Sequence, residues 1–243
     1  MKWAITILTW LSLLLIVSAE PLRFVSSWPT AMQYFPMNET SGVVRTALGG
    51  NYVAYNTAPA AVVPSPMGNA TYTSSAVYGI ANADFGNASK SWSLSCWLRP
   101  NTQAAAGFVL IRGNWSVPDV NYALIQQTDM SVGAGLSIAG GWKGGYSSAN
   151  SLTLNQWAWV VVTWTNGYCN VWVNGIQHGP MGVTSGTAAN NSTSRFAAWS
   201  STGNGIFYGA VSHIAIYGST VSAAAALTDR QVKAKFFSRR PFQ

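Results

Sequence analysis

Acidic residues are almost missing from this sequence. Glu20, Glu39, Asp84, Asp119, Asp129 and Asp229 are the only six carboxylates in 243 residues, and no two of them alternate along a strand-like run. Glycoside hydrolysis by two carboxylates needs an acid and a nucleophile about 5 Å apart, so that chemistry is excluded. Histidine is scarcer still. His178 and His213 are the only two, and no cluster of Cys or carboxylates accompanies either, so both read as structural residues rather than metal ligands. No G-x-S-x-G elbow supports a nucleophilic serine. The expectation is therefore a chain with no catalytic residues, no metal site and no cofactor. Ca²⁺ alone keeps a foothold, because Asp119 and Asp129 sit in the loops around Tyr122 to Gln127 and could bind it with backbone carbonyls. Cys96 and Cys169, the only cysteines, could form one disulfide or stand as two buried free thiols, each on an expected strand.

Charge of either sign is sparse. Charged residues make up 8% of the chain, against about 25–35% on an ordinary soluble surface. That composition fits a protein that is secreted, glycosylated or packed into an assembly. The net charge is +7, and five of the thirteen basic residues, Arg230, Lys233, Lys235, Arg239 and Arg240, crowd into the last fourteen positions. They could contact an acidic partner or lipid head groups, or simply form a solvated helix face and tail. No platform of interleaved aromatic and basic residues appears elsewhere, so nucleic acid is not an expected partner.

Apolar residues, by contrast, are plentiful. Residues 1–19 run apolar from Trp3 to Val17 and end in Ser18-Ala19, which reads as a signal peptide or as a retained, helical membrane anchor. Residues 20–30 form a linker bracketed by Pro21 and Pro29. Six Asn-x-Ser/Thr sequons, at Asn38, Asn69, Asn87, Asn114, Asn190 and Asn191, either mark N-glycosylation or arise by coincidence in a chain rich in these residues.

The stretch from Trp157 to His178 organises the rest. Asn166-Gly167 and Asn174-Gly175 sit between runs of β-branched and aromatic residues, which spells three consecutive antiparallel strands. Val160, Val162 and Trp164 share one face, Trp159, Val161 and Thr163 the other; Cys169, Val171 and Val173 likewise oppose Tyr168, Asn170 and Trp172. Further strands are expected near Met32 to Met37 and over residues 52–55, 62–63, 77–80, 92–98, 108–111, 122–126, 136–138, 196–199, 206–208 and 211–217. Gly140 to Tyr146 and Gly179 to Ser194 read as loops. One short helix starts at Thr228, whose hydroxyl can cap while Gln231 reaches back, with Val232 and Phe236 on one face.

Trp157 to Gly175 resembles the W-x-x-V-x-V-T-W…V-W-V-N-G signature of laminin-G-like domains in the concanavalin A-like lectin/glucanase superfamily. Tyr34 to Gly42 is similar to the opening strand of that family, Trp92 to Pro100 (WSLSCWLRP) to a later one, and Gly209 to Tyr217 with Leu227-Thr228 and Gln231 to the closing strand and helix. The resemblance covers roughly residues 30–237 and implies an all-β, two-sheet antiparallel jelly-roll sandwich. Glycosidases of this superfamily carry an E-x-D-x-(x)-E strand, which is missing here. Relatives with a Ca²⁺ site carry acidic residues at positions matching Ser212 and His213, so the resemblance implies no such site. Pentraxins, which share the architecture, staple neighbouring strands of this region, but Cys169 falls one strand later than their second cysteine.

What remains is binding. Twelve Trp and ten Tyr exceed what a core of this size needs, and exposed aromatics stack sugars or anchor proteins. Trp97, Trp115, Trp142, Tyr146 and Trp199 fall outside the expected inward positions. The expected organisation is residues 1–19 as signal or anchor, 20–30 as linker, 31–237 as the sandwich and 238–243 as a basic tail. The expected role is a non-catalytic structural or interaction component of a virion, as a minor capsid or membrane-associated protein, or of a cell surface. It would contact other proteins of a larger assembly and be membrane-associated through residues 3–19. The alternative is a secreted carbohydrate-binding or adhesion module.

Overall fold

A computed structural model describes residues 33–35, 37, 44–46, 52–55, 62–73, 77–80, 91–114, 119–138, 141–165, 167–182, 194–196, 205–218 and 227–238. These residues build two antiparallel sheets. The first runs in the order β14 (Ile176–Gly182), β13 (Tyr168–Val173), β12 (Ala158–Thr165), β7 (Trp92–Pro100), β16 (Gly209–Gly218), β5 (Gly68–Thr73) and β4 (Val62–Ser65), with β1 (Gln33–Phe35) also on β16. The second runs β11 (Gly141–Tyr146), β10 (Val132–Ile138), β9 (Asp119–Gln126), β8 (Gly107–Asn114), β15 (Ser194–Phe196), β6 (Val77–Ile80), β3 (Tyr52–Tyr55) and β2 (Val44–Thr46). This is the jelly-roll sandwich that the resemblance implies.

Turn chemistry sets the register of the central meander. Asn174 and Gly175 take φ of 51° and 79°, the paired positive values that a two-residue hairpin turn requires. Asn174 then extends the ladder, because its amide donates to Trp159 O at 2.8 Å while its Oδ1 accepts from Trp159 N at 2.9 Å. With the register fixed, Val160, Val162 and Trp164 meet Val173, Val171 and Cys169, and all six point into the sandwich. Trp92 stacks on Trp164 at 5.9 Å with planes 5° apart, and from the second sheet Tyr122, Leu124, Val132, Ala134 and Leu136 close the core.

The outward face of the first sheet is apolar too. Trp97, Trp159, Val161, Trp172 and Tyr217 lie there, buried beneath α1 (Asp229–Ser238), which contributes Val232 and Phe236. The β4–β5 hairpin helps to close this face: Met67 packs on the same cluster, and Trp157 Nε1 donates to Pro64 O at 3.1 Å. The expected cap is present at α1, where Gln231 N donates to Thr228 Oγ1 at 3.3 Å and Gln231 Oε1 accepts from Thr228 N at 2.9 Å.

Some expectations change. Residues 141–146 form strand β11 rather than a loop, and strand β14 continues to Gly182. Residue 206 makes one isolated bridge, to Phe108. Strand β5 was not anticipated, because Gly-Asn-Ala-Thr-Tyr-Thr is too polar to read as one. The N-terminal hydrophobic helix, the linker and residues 239–243 lie outside the described residues. Among the described residues, no helix is long and apolar enough to cross a membrane.

Candidate functional site

α1 and the β4–β5 hairpin cover the first sheet, and on the outward face of the second Phe108, Ile111, Ala123 and Ile125 of β8 and β9 are buried as well, so the edge formed by β10 and β11 is the candidate surface. On β10, Val132, Ala134 and Leu136 enter the core, so Gly133, Gly135 and Ser137 take the outward register. Across the ladder they pair with Tyr146, Gly144 and Trp142. All six outward positions of this edge are uncharged, and Lys143, the one charged residue of the two strands, falls on the inward register opposite Leu136.

The glycines remove the side chains that would separate the aromatics from the sheet. A Cβ on Gly133 would lie 2.7 Å from Tyr146 Cε1, so the phenol ring leans directly over that glycine. Gly135 and Gly144 face each other so closely that a Cβ on either would lie 2.2 or 2.1 Å from a backbone oxygen of the opposite strand. Trp142 reaches across β10 to pack on the outward cluster of Phe108, Ile111, Ala123 and Ile125 on β8 and β9 and is half-buried, while Tyr146 is 38% exposed. Four residues apart on one strand face, the two residues have Cα atoms about 13 Å apart along β11.

Loop hydrogen bonds hold the Tyr146 end in place. Ser147 N donates to Val132 O and Val132 N to Ser147 Oγ, each at 2.8 Å, and Leu152 N reaches Met130 O at 3.0 Å. Asp129 Oδ1 accepts from Ser131 N at 2.9 Å, and these Ser131 contacts hold its exposed carboxyl below the usual range. The same turn presents Gln127, whose Nε2 is 3.4 Å from the Cβ position of Gly133, beside the Tyr146 ring. Its side-chain amide makes no hydrogen bond among the described residues. Gln127 was not singled out from the sequence, since a lone glutamine carries no spacing signal. The alternation of Gly133 and Gly135 with core residues was available there but resembled a turn.

The other expected site residues go elsewhere. Trp97 is 5% exposed beneath α1, so it is a core residue and not a binding one. Trp115 and Trp199 lie outside the described residues. Cys96 and Cys169 are free and buried, so no disulfide joins them. They sit on β7 and β13 with β12 between, about 9–10 Å apart across the ladder before any stagger, whereas a disulfide needs Cα atoms within about 7 Å. Burial pushes both thiols up to about 12. Asp119 opens β9 and Asp129 follows its far end, more than about 20 Å away, so the two do not converge on a cation. Among the described residues, no three His, Cys, Asp or Glu side chains come together.

His213 is buried at a bulge in β16 with φ of 51°, its Nδ1 2.9 Å from Ser212 Oγ, at the point where that strand changes partner from β5 to β1. Of the basic cluster, Arg230 and Lys233 are exposed on α1, with Lys233 Nζ 5.8 Å from the Trp172 ring centroid. Lys235 is on the same helix, and Arg239 and Arg240 lie outside the described residues. Among the sequons, Asn69 is half-buried on β5 and Asn114 ends β8. Asn38, Asn87, Asn190 and Asn191 lie outside the described residues.

Comparison with known proteins agrees with this architecture. The family model described as the concanavalin A-like lectin/glucanases superfamily matches residues 70–226, more than half of the chain. No curated protein sequence matches. Among solved structures, the Trypanosoma rangeli sialidase in complex with sialic acid is similar at TM-score 0.60 and 13% identity, over 85% of this chain and 32% of the sialidase. A botulinum neurotoxin type C structure, whose title ties cell entry to two ganglioside molecules, is similar at TM-score 0.62 and 16% identity, over 87% and 52%. The binding domain of botulinum neurotoxin DC in complex with rat synaptotagmin II is similar at TM-score 0.61 and 16% identity, over 86% and 51%. At these identities the likeness is one of fold, and the chain spans a third to a half of those proteins.

Proposed function

We infer that this chain, which belongs to the concanavalin A-like lectin/glucanase superfamily, is a non-catalytic recognition module that binds glycans on the outward face of β10 and β11. The observation that carries this reading is the Trp142–Tyr146 pair, laid against the glycines of β10 and β11, with the amide of Gln127, which makes no hydrogen bond among the described residues, alongside. An aromatic face matches the apolar C–H face of a sugar ring, and a nearby amide supplies direction to its hydroxyls. The sialic acid and gangliosides of the structural neighbours favour the same class of ligand. A non-catalytic role accords with the scattered positions of Asp119, Asp129 and Asp229, at the start of β9, in the turn after it and in the first turn of α1. In a glycan array, Trp142→Ala and Tyr146→Ala should each lose signal. Unchanged binding by the double variant would sink the reading.

A second reading keeps the module inside an assembly, as a structural component of a virion or of an extracellular cell surface, membrane-associated through residues 3–19. Ile176 (65% exposed) and Tyr168 (54%), at the two ends of the β13–β14 ladder, together with the 8% charge, favour protein contacts there. Cross-linking in the native particle or on the native membrane tests it: adducts reaching residues 168–176 support it, and a monomer free of neighbours overturns it.

A further inference from the structure

We propose that the margin of the first sheet where β7 ends, built on Arg99, Asn101, Trp157 and Tyr208, docks an acidic peptide segment of a protein partner. This rests on the second reading above, the module inside an assembly, and adds to it a contact away from residues 168–176. Strand register assembles the cluster. Leu98 enters the core, so Arg99 takes the outward side, as Trp97 does, and Arg99 and Tyr72 flank Ala210 from β7 and β5. The guanidinium carbon of Arg99 lies 5.6 Å from the ring centroid of Trp157, which is itself held by its bond to Pro64 O. Just past the strand, Asn101 N donates to Tyr208 O at 3.0 Å and Asn101 Nδ2 donates to Tyr72 Oη, while Tyr208 is 41% exposed.

Unmet polar capacity indicates what this surface takes. Arg99 is half-buried, and among the described residues neither a carboxylate nor any other acceptor pairs with it. Its Nε is enclosed without a partner, and so is Oδ1 of Asn101. One of these is a donor and the other an acceptor. An acidic peptide complements both, with a side-chain carboxylate for the guanidinium and a backbone N–H for the amide oxygen, whereas a bare anion brings acceptors alone. Reaching the two enclosed atoms takes a side-chain rotation, a common change at protein interfaces. Arginine, tryptophan and tyrosine are also the residues that most often anchor such interfaces. Charge selects the partner further. The chain carries +7 with six carboxylates in 243 residues, and α1, on the same side of the molecule, adds exposed Arg230 and Lys233 against Asp229. A second copy of this chain would bring the same positive charge, so it complements the surface less well than an acidic protein does.

The test probes an array of short random peptides with the full chain, each peptide paired with a version in which every Asp and Glu is exchanged for Asn or Gln. Vesicles of phosphatidylserine with phosphatidylcholine are run alongside. The acidic members should be preferred, the preference should fall as salt rises, and Arg99→Gln should lower their affinity roughly tenfold. Arg99→Lys, which keeps the charge without the planar fork, should recover only part of that loss. Tyr208→Ala, at an exposed side chain, should weaken the same peptides and leave the denaturation midpoint unchanged, which separates a lost contact from a lost fold. Equal binding of acidic and amide peptides, or acidic binding untouched by both Arg99→Gln and Tyr208→Ala, would overturn the contact. If cross-links in native material still reach residues 168–176 in that case, the assembly reading stands without it. Arg99-dependent binding of the phosphatidylserine vesicles in place of the peptides would assign the surface to a membrane and overturn the inference as well.

Discussion

Glycine decides how closely β10 and β11 approach, and two neighbouring glycines do so in different ways. At Gly135 a Cβ would meet Lys143 O at 2.2 Å, and a backbone atom cannot swing aside. Gly135→Ala should therefore cost more than about 2 kcal/mol, above the usual effect of a point mutation, read as a lower denaturant midpoint. At Gly133 the atom in the way is Tyr146 Cε1, the mobile end of a side chain. Gly133→Ala should change stability by under about 1 kcal/mol yet weaken glycan binding, because the ring must leave its place on the sheet. Trp142 and Tyr146 were recognisable in the sequence as aromatics outside the core pattern, but their flat setting was not, since Gly-Gly-x-x-Gly-Gly reads locally as a turn. The cysteines show the same gap between composition and placement. With both thiols buried and pushed up to about 12, neither Cys96 nor Cys169 should react with iodoacetamide at pH 8 until denaturant is added, and reducing agent should leave the melting temperature unchanged. Rapid alkylation of either one in the native protein would contradict the burial.

At the scale of elements, α1 shows how far periodicity reaches. The Thr228…Gln231 spacing marked its start, and Val232 with Phe236 marked its buried face, because capping and a 3.6-residue stripe are local properties. What the stripe covers is not local. Strand alternation placed Trp97 and Trp159 on the side of their strands away from the core, where they could be taken for exposed residues, and only the tertiary path brings Phe236 onto Trp159 at 5.9 Å with planes 13° apart. The bulge in β16 escaped notice for a related reason: nothing in Val-Ser-His-Ile announces that the strand must change partner there. The helix is separable in its effects. Thr228→Ala should cost about 1 kcal/mol through the lost cap, and Phe236→Ala about 3 kcal/mol through the lost packing on the tryptophans. Both are measured by chemical denaturation. Phe236→Ala should also raise binding of an apolar dye, as Trp97, Trp159 and Trp172 become accessible, whereas Thr228→Ala should not. Equal effects of the two substitutions would mean that the helix is not a lid on this cluster.

Across the whole molecule, the two sheets meet at a seam where their outermost strands, β11 and β14, lie against each other. Among the described residues, a side-chain hydrogen bond crosses it: His178 Nδ1, on β14, accepts from Ser148 N at 3.1 Å and lies 3.2 Å from Ser148 Oγ, just past the end of β11. Only neutral imidazole can accept at Nδ1, and desolvation pulls the His178 value below its ordinary position. The charged residues of the neighbouring elements are Lys143 on β11 and Asp129, whose carbonyl accepts from Asn150 N at 2.8 Å in the same loop region. Because the folded-state value is lowered, the contribution of His178 is complete above the ordinary histidine value of about 6.5 and is lost as pH falls through the lowered one. His178→Gln removes the titration while leaving an acceptor of similar reach. The wild type should therefore lose melting temperature relative to His178→Gln as pH drops below about 6.5, with a swing well under about 1 kcal/mol, because the contact is exposed and solvent screens it. Parallel pH profiles for the two proteins would show that the seam does not depend on a neutral imidazole. If the profiles diverge, the end of the platform that carries Tyr146 is tied to the opposite sheet by a contact that acid can release, and glycan affinity in the wild type should weaken over the same pH range.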